Sequence, residues 1–376
     1  MLPFFKTEKE VFGLEISNLS IKAAKVKKKS KKYFLEWVEK EEMEAGIIEK
    51  GEIKNEEKFV EVLKKTVKGK WRERLKSDFA IVSLPEERIF SKILKIPKVP
   101  EKDIPNLLLF EAEKHIPLPL EKIYLDYQIV SPPFENFNYL EVLMIACPKE
   151  VADSYLRAVK KAGIFPFVFE PETFAIARTL IKQEVSTEPV LILDFGATKT
   201  RFIVFAGKSI RFTSILPIGS FHLTETLAKN LNLSQEKAEE LKIKEGLGMH
   251  FEVKIEKEKG KVEIKTEEIF EILVPVLVDL VQQIKKYLDY YISYADHLYL
   301  NAEGKPISKI ILSGGGSRLK GLDKFLSAEL EYEVEFGNPF SNLFPSPNLK
   351  QTRTELLSFV AAIGLALRGA KESFYD

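Results

Sequence analysis

The sequence predicts an α/β protein of two lobes, and two observations carry that prediction. A chain of 376 residues is too long to fold around one small hydrophobic core, which favours two lobes or more. Apolar runs typical of strands alternate with helical stripes. Two similar strand–turn–strand hairpins lie at residues 13–22 and 191–205, about half a chain apart. Such a duplication indicates that the two lobes are related in design.

Composition excludes several classes of protein. The chain has 57 basic and 56 acidic side chains and a net charge of +1, which gives no sign of general nucleic-acid binding. Its single cysteine, Cys147, excludes an internal disulfide and a multi-cysteine zinc site, and the four histidines have no ligand spacing. No apolar run approaches the roughly 18 residues of a membrane span and no secretory leader opens the sequence, so we expect a cytoplasmic protein.

The first part of the chain reads as a mixed sheet followed by a helix. Apolar residues alternate with small or polar ones over residues 11–26 around a turn at 17–20, a pattern typical of a β-hairpin. A strand is expected at 33–38, a helix at 56–68 and a further strand at 79–84.

Residues 89–163 change to the order strand, helix, strand, strand, helix, which predicts a small βαββα module. Pro105 falls in the first turn of the first helix, where proline is tolerated. Gly163 is suited to end the second helix. The five elements are expected at 90–96, 101–115, 123–130, 139–147 and 151–162.

The remaining elements complete the alternation. A helix at 170–180 and a linker at 181–189 precede the second hairpin, and a long helix at 267–297 contains Pro275, where a kink is expected. The other predicted elements are helices at 221–231, 234–244, 321–330 and 356–367, an exposed hairpin at 252–264 and a buried strand at 309–312.

The second hairpin has the pattern of a phosphate-binding loop. Asp194 ends its first strand, and Gly196 lets the backbone turn tightly. Thr198 and Thr200 offer hydroxyl groups beside backbone N–H groups, which suits an anionic phosphate and its metal. An ordinary β-hairpin has the same pattern, so that alternative stays open for the loop taken alone.

The first hairpin is a matching candidate. Paired with the second, it would grip a polyphosphate from the opposite side, and the carboxylates of Glu15 and Asp194 would hold a hydrated Mg²⁺. Lys22 would reach a phosphate as a point charge. Here too an ordinary hairpin is the alternative.

Two further segments carry ligand-binding patterns. Gly314, Gly315 and Gly316 follow a predicted buried strand and would let the backbone approach a flat ligand or a phosphate closely. On the helix at 234–244, Glu239 and Lys242 share one face and could bracket a ribose. The alternatives are a flexible turn for the glycines and a surface ion pair for the helix.

Taken together and in this order, the four segments resemble those of the actin-like ATPase superfamily. Within it the chain is most similar to the PilM-type family of type IV pilus assembly proteins, over nearly its whole length. The most specific stretch is EAEKHIPLPLEKIYLDYQ at 111–128, which is similar to the inserted subdomain that this family shares with the division protein FtsA. The segments at 217–242 and 359–369 support the same resemblance.

The resemblance implies an actin-like fold, with two lobes around a nucleotide cleft and the βαββα subdomain inserted in the first lobe. The implied division is 1–88, 164–185 and 351–376 for the first lobe, 89–163 for the insert and 186–350 for the second lobe, with a helical and hairpin subdomain near 221–304.

The resemblance also implies that the cleft holds ATP or ADP with Mg²⁺. Asp194 and Glu15 would be the metal ligands, and replacing Asp194 with alanine should abolish binding. The implied nucleotide-binding residues are Ser17, Asn18, Ser20, Ile21, Lys22, Gly196, Ala197, Thr198, Lys199, Thr200, Gly219, Glu239, Lys242, Gly314, Gly315, Gly316 and Ser317.

As partners, the resemblance implies the cytoplasmic tail of a PilN-like inner-membrane protein and other pilus assembly components, with a ring or other homo-oligomer of the chain itself as a further expectation. Membrane contact would then be indirect, through a protein held peripherally at the inner membrane. The apolar residues Ile104, Leu107, Leu108 and Phe110 are candidates to grip the tail. Helical spacing cannot bury all four on one narrow face, so at least one should be exposed.

The chain departs from the superfamily pattern in its first loop. Glu15 and Ser17 stand where an aspartate and a glycine are usual, and Gly219 is followed by Ser220 where a glycine pair is frequent. Slow hydrolysis at most is therefore expected, with no assigned catalytic residue. The alternatives are an FtsA-like division scaffold, a platform component of type II secretion and, less favoured, a small-molecule kinase. The ending GAKESFYD is not expected to form the amphipathic membrane helix of FtsA-like proteins.

Overall fold

The computed structural model describes residues 9–130, 138–248, 252–257, 260–294 and 305–372. His250, His297, the tip of the predicted hairpin at 258–259 and the end of the predicted long helix at 295–297 lie outside the described residues.

The strands, in chain order, are β1 (Val11–Ile16), β2 (Ser20–Lys29), β3 (Lys32–Glu42), β4 (Ile48–Glu49), β5 (Glu52–Ile53), β6 (Phe79–Leu84), β7 (Phe90–Pro97), β8 (Ile123–Val130), β9 (Tyr139–Pro148), β10 (Phe165–Pro171), β11 (Ser186–Phe195), β12 (Thr200–Gly207), β13 (Ser209–Leu216), β14 (Glu252–Lys257), β15 (Gly260–Lys265), β16 (Lys309–Ser313), β17 (Val334–Phe336) and β18 (Phe344–Pro345).

The helices are α1 (Glu56–Leu63), α2 (Arg72–Leu75), α3 (Ile104–His115), α4 (Lys149–Lys161), α5 (Glu172–Leu180), α6 (Ser220–Leu231), α7 (Gln235–Glu245), α8 (Thr266–Tyr294), α9 (Leu322–Leu330), α10 (Arg353–Leu356) and α11 (Val360–Lys371). A π-helical segment, Lys64–Lys70, continues α1. Short 3₁₀ turns occupy Glu86–Arg88, Glu101–Asp103, Leu120–Lys122, Lys182–Glu184, Gly315–Arg318 and Leu357–Phe359.

Two large sheets share one topology. The first has the strand order β10-β6-β1-β2-β3-β18 and the second the order β13-β12-β11-β16-β17. In each, three consecutive strands form an antiparallel meander, and the first strand of the meander then pairs in parallel with a later strand. The duplication expected from the two hairpins is thus confirmed, and with it the two-lobed α/β class.

Helices cover both faces of these sheets, which explains why the central strands are buried almost without interruption. All six residues of β1 are buried, as are the last seven of β11. Such continuous burial is typical of strands enclosed on both sides. One face of the first sheet packs on α1 and α4, and the other packs on α11. One face of the second sheet packs on α6, α7, α8 and α9, and the other packs on α5.

A third sheet, in the order β7-β9-β8, is antiparallel and shares a separate core with α3. The helix α4 follows it in the predicted βαββα module. Val151, Tyr155 and Val159 of α4 lie in the core of the first sheet. The helix α4 therefore packs on the first sheet. In α3 the first-turn Pro105 is accommodated as expected.

Local sequence accounts for several helix ends. Asn55 and Ser234 accept hydrogen bonds from the backbone N–H three residues on and so begin α1 and α7. Thr352 and Glu355 form a reciprocal capping box at α10. Asn232, which follows α6, has the left-handed conformation that ends many helices.

Six strands lie where the sequence pattern predicts none. They are β4, β5, β10, β13, β17 and β18. Glu170, expected in a helix, lies in β10, and the helix begins at Glu172. The expected linker at 181–189 already contains the start of β11. Strand β18 joins the edge of β3, so residues 344–345 pair with the first sheet although the predicted lobe boundary places them in the second.

Candidate functional site

A cleft of about 780 Å³ lies where the turns of the two hairpins meet the loop after β16. Its walls are completed by α6, α7 and the segment that leads into α11. The volume lies within the range of about 300–1,000 Å³ that is usual for small-molecule sites. The cleft therefore has room for a ligand of nucleotide size.

The first hairpin presents a tight turn to the cleft. The backbone N–H of Ser17 donates to the carbonyl of Ser20 at 2.9 Å, and the Ser17 hydroxyl donates to the same oxygen at 3.0 Å. Glu15 and Lys22 are register partners across β1 and β2. Nζ of Lys22 donates to Oε1 of Glu15 at 2.7 Å. Lys22, which the sequence proposes as a phosphate ligand, is therefore paired with Glu15, which it proposes as a metal ligand.

The second hairpin has the same construction. The backbone N–H of Gly196 donates to the carbonyl of Lys199 at 2.9 Å and closes the turn. Asp194 and Arg201 are register partners across β11 and β12. Nη1 of Arg201 donates to Oδ2 of Asp194 at 2.7 Å, and the Ser313 hydroxyl donates to Oδ1 at 3.2 Å. Both oxygens of Asp194 therefore accept hydrogen bonds from protein groups.

Arg201 continues into a buried network behind the cleft. Its Nε and Nη2 donate to Oε2 of Glu172, at the start of α5, the former at 3.0 Å. Nζ of Lys199 donates to Oε1 of Glu87 at 2.5 Å. Burial by itself lowers the pKa of the Arg201 guanidinium, but the carboxylates of Glu172 and Asp194 outweigh burial and raise it. Arg201 is a permanent buried cation.

One carboxyl group of this network is uncharged over part of the neutral pH range. Glu86 follows β6, and burial raises its pKa to about 7. It accepts a hydrogen bond of 2.8 Å from the hydroxyl of Thr173. The neighbouring Glu172 carboxylate raises this pKa further because the two like charges repel.

The glycine-rich loop after β16 is a place of close backbone approach. Gly314 has a φ of +87°, and a Cβ there would lie 2.4 Å from the carbonyl oxygen of Phe195. Only glycine satisfies both conditions. The Ser317 hydroxyl donates to the Gly314 carbonyl at 2.6 Å and braces the loop from behind.

Elsewhere in the cleft lining, Lys242 of α7 is held by three acceptors. Its Nζ donates to Oε2 of Glu239 at 2.6 Å, to the Thr224 hydroxyl at 2.7 Å and to the Ser220 carbonyl at 3.0 Å. Burial lowers its pKa despite the Glu239 carboxylate. Glu239 and Lys242 both line the cleft, and they share one face of α7 as the sequence predicts.

The structure brings most of the predicted site residues together. Those that line the cleft are Glu15, Ser17, Asn18, Ser20, Lys22, Asp194, Gly196, Ala197, Thr198, Lys199, Glu239, Lys242, Gly314, Gly315 and Gly316. Four others do not line it: Ile21, Thr200, Gly219 and Ser317. Ile21 is buried in the core of the first sheet, and the Thr200 hydroxyl donates to the Ile218 carbonyl at 2.6 Å. Gly219 packs against the backbone of Ala197 and supports the loop from behind.

Sequence reasoning missed several residues that line the cleft, among them Arg201, Thr224 and Arg318. Strand register is the signal that could have found Arg201. Once the turn at 196–199 is recognised, pairing Phe195 with Thr200 puts Arg201 directly across from Asp194.

The residues expected to hold Mg²⁺ do not fit that role as arranged here. Glu15 is paired with Lys22, and Asp194 is paired with Arg201. The described residues contain no cluster of three or more histidine, cysteine, aspartate or glutamate side chains suited to a metal ion. Oε1 of Glu172 is buried and accepts no hydrogen bond from any described residue, but Glu172 does not line the cleft. A direct ligand set is thus not formed.

The apolar candidates on α3 divide into two groups. Ile104 and Leu108 are fully buried in the core of the third sheet, and Leu107 is partly buried against it. Phe110 is 67% exposed, and the neighbouring Leu109 is 42% exposed. The expectation that at least one of the four is exposed is confirmed. In the part of the chain that the structure covers, no helix is both long enough and apolar enough to cross a membrane.

The chain matches one protein family over nearly its full length. The sequence profile described as type IV pilus assembly protein PilM covers residues 13–370. Among curated proteins, the cell division protein FtsA of Helicobacter pylori is 39% identical over 77 residues, which are 20% of this chain and 15% of that protein. FtsA of Pseudomonas aeruginosa is 22% identical over 209 residues, which are 54% of this chain and 48% of that protein. The matched segments span about half or less of these curated relatives.

Solved structures show the same fold. The PilM-PilN type IV pilus biogenesis complex has a TM-score of 0.77 at 24% identity and covers 97% of this chain and 100% of that one. MreB5 of Spiroplasma citri bound to ADP has a TM-score of 0.54 at 12% identity, with 94% of each chain covered. These likenesses establish a two-lobed actin-like fold.

Proposed function

The chain belongs to the PilM family of type IV pilus assembly proteins, and we propose that it is a nucleotide-binding scaffold of the pilus assembly machine. Family membership rests on the match over residues 13–370. The observation that carries nucleotide binding is the cleft between two hairpin turns of the same construction, closed by the glycine loop at Gly314. ATP or ADP is the proposed ligand.

Within the cleft, each wall suits a different part of a nucleotide. The turns at 17–20 and 196–199 both line the space proposed for the phosphates. Lys242 and Glu239 offer a donor and an acceptor suited to ribose hydroxyl groups. The backbone at Gly314–Gly316 suits the flat base because no side chain stands between it and the ligand. The lobe boundaries implied by the family resemblance form part of this proposal.

The proposed partner is the cytoplasmic tail of a PilN-like membrane protein. A solved neighbour of the same fold is a PilM-PilN complex, which supports this partner for the chain. The exposed side chains of Leu109 and Phe110 on α3 are the proposed contact surface. The chain would then work in the cytoplasm and reach the inner membrane only through its partners.

We propose binding rather than rapid turnover as the purpose of the cleft. Glu15 and Ser17 differ from the residues usual in the first loop of actin-like hydrolases, and Glu15 is engaged by Lys22. The nucleotide would serve as a structural or regulatory ligand, with slow hydrolysis at most. A cell division scaffold is the second candidate function, because curated relatives of the chain are FtsA proteins.

Calorimetric titration of the purified chain with ATP and with ADP tests the site. Ala197 is exposed on the second turn and lines the cleft, so substitutions there add charge without disturbing a core. Ala197→Glu should weaken binding by about tenfold or more because its carboxylate repels the phosphates, whereas the neutral, similarly sized Ala197→Gln should weaken it much less. Equal affinity of the two variants would contradict this assignment.

A pull-down with the PilN-like tail, with and without nucleotide, tests the partner. Capture of the tail by the wild type and its loss in Phe110→Ala is the expected result. Capture of a division-protein tail in its place would favour the FtsA-like scaffold.

A further inference from the structure

Both hairpins of the cleft pair an acidic residue with a basic one directly across the strands. Glu15 faces Lys22 in the first hairpin, and Asp194 faces Arg201 in the second. The two contacts have the same length, 2.7 Å between nitrogen and oxygen. Strand register places each cation within reach of its carboxylate, because residues directly opposite in an antiparallel pair lie about 5 Å apart.

These pairs occupy the carboxylates on which a divalent cation would depend. The Arg201 side chain is only 6% exposed, and its guanidinium also binds Glu172. A metal ion bound to Asp194 would lie close to a charge of the same sign that cannot be removed by deprotonation. It would also leave that buried guanidinium with one carboxylate fewer, and a buried charge deprived of its partner is costly.

We infer that the cleft binds its nucleotide without a divalent cation and that N–H groups of Lys22 and Arg201 contact the phosphates in its place. This inference rests on the proposed nucleotide binding. Both side chains line the cleft, Lys22 on the first hairpin and Arg201 on the second. Ammonium and guanidinium groups donate charge-assisted hydrogen bonds to phosphate oxygens, which gives them the role that a metal ion otherwise has. The ligand class is therefore a nucleoside polyphosphate as the metal-free anion.

The test compares the dissociation constants for ATP and ADP in saturating MgCl₂ and in excess EDTA. For the wild-type chain the two conditions should agree within about threefold. A loss of about tenfold or more in EDTA overturns the inference alone. Failure to bind under both conditions contradicts the proposed function and the inference with it.

Matched variants at position 201 sharpen the test. Arg201→Gln removes the charge, frees Asp194 and Glu172, and should make binding depend on Mg²⁺ by about tenfold or more. Arg201→Lys keeps the charge and should remain insensitive to EDTA. If Arg201→Gln does not fold, Lys22→Gln makes the same comparison at the first hairpin, where the lysine side chain is 15% exposed and partly solvated. Variants that remain as insensitive to EDTA as the wild type would refute the role of these cations.

Discussion

The guanidinium of Arg211 on β13 donates two hydrogen bonds, each 2.8 Å long, to Oε2 of Glu141 on β9. Both side chains are buried, Arg211 at 6% and Glu141 at 1% exposure. The pair joins the third sheet to the edge of the second, and the hydroxyl groups of Ser91 and Thr213 meet beside it at 3.4 Å. The third sheet is thus attached to the sheet that forms one wall of the cleft.

Replacing Arg211 with alanine should destabilise the protein strongly. The change leaves Glu141 in a buried position without this partner, and loss of one member of a buried pair costs about 3–5 kcal/mol. The measurement is the midpoint of thermal unfolding, with limited proteolysis to detect release of the third sheet. Arg157→Ala is the control, because the Arg157–Glu56 pair is exposed and should contribute little. Equal midpoints for the two variants would contradict the role given to the Arg211–Glu141 pair.

Gly314 and its neighbour Gly315 should respond very differently to alanine. At Gly314 the added Cβ would meet the Phe195 carbonyl at 2.4 Å and the residue has a positive φ, whereas at Gly315 the nearest atom is 3.6 Å away. We expect Gly314→Ala to lower the unfolding midpoint and weaken nucleotide binding. Gly315→Ala should match the wild type in stability, because ordinary contact distances need no rearrangement. Unfolding scans and nucleotide titration of the two variants measure this, and similar losses would disprove the close approach at Gly314.

Glu86 should make stability depend on pH. Its folded pKa of about 7 lies above the ordinary value of 4.5, so the folded chain holds this proton more tightly than the unfolded chain. The stabilisation is complete below pH 4.5 and is lost as the pH rises through 7, and a shift of this size corresponds to about 3 kcal/mol.

Glu86→Gln removes this titration. The unfolding midpoint of the wild type should therefore fall relative to that of Glu86→Gln between about pH 5 and pH 8. The exposed Glu57→Gln serves as control and should follow the wild type. Parallel curves for wild type and Glu86→Gln would show that Glu86 is not the responsible group.

Alanine substitutions at Leu108 and Phe110 on α3 should have different effects, the first on stability and the second on binding of the PilN-like tail. Leu108 is fully buried, so Leu108→Ala should cost about 2–5 kcal/mol of stability. Phe110 is 67% exposed, so Phe110→Ala should leave the unfolding midpoint close to that of the wild type while lowering capture of the PilN-like tail. Undiminished capture by Phe110→Ala would remove this residue from the proposed contact.

Most elements could be predicted from the chain because their apolar periodicity is local. The strands β6 and β8 have the bounds that alternation and apolar runs predict. Strand β10 was missed because Pro166 lies near its start, Pro171 ends it and a bulge follows Pro166. Strands β17 and β18 have three and two residues, and only pairing with distant strands makes them extended.

The loops that form the site could be predicted from the sequence, but most of the side-chain contacts within it could not. Glycines and strand ends identified the loops, yet alternation along β12 turns Thr200 inward and Arg201 towards Asp194. A basic residue in a strand is usually taken to face solvent, so the pairing of Arg201 needed the register of the hairpin. The contact of Lys22 with Glu15 likewise depends on strand register, and it was not predicted when Lys22 was proposed as a phosphate ligand.

The position of α11 has a consequence for synthesis of the protein. This helix, buried along almost its whole length, packs against β1, β2 and β6, although hundreds of residues separate it from those strands in the chain. At ribosomal rates these three strands emerge on the order of tens of seconds before the helix that covers them. During that time their apolar face is open to other chains, so a holdase chaperone that shields this surface should raise the yield of folded protein more than one that acts after release.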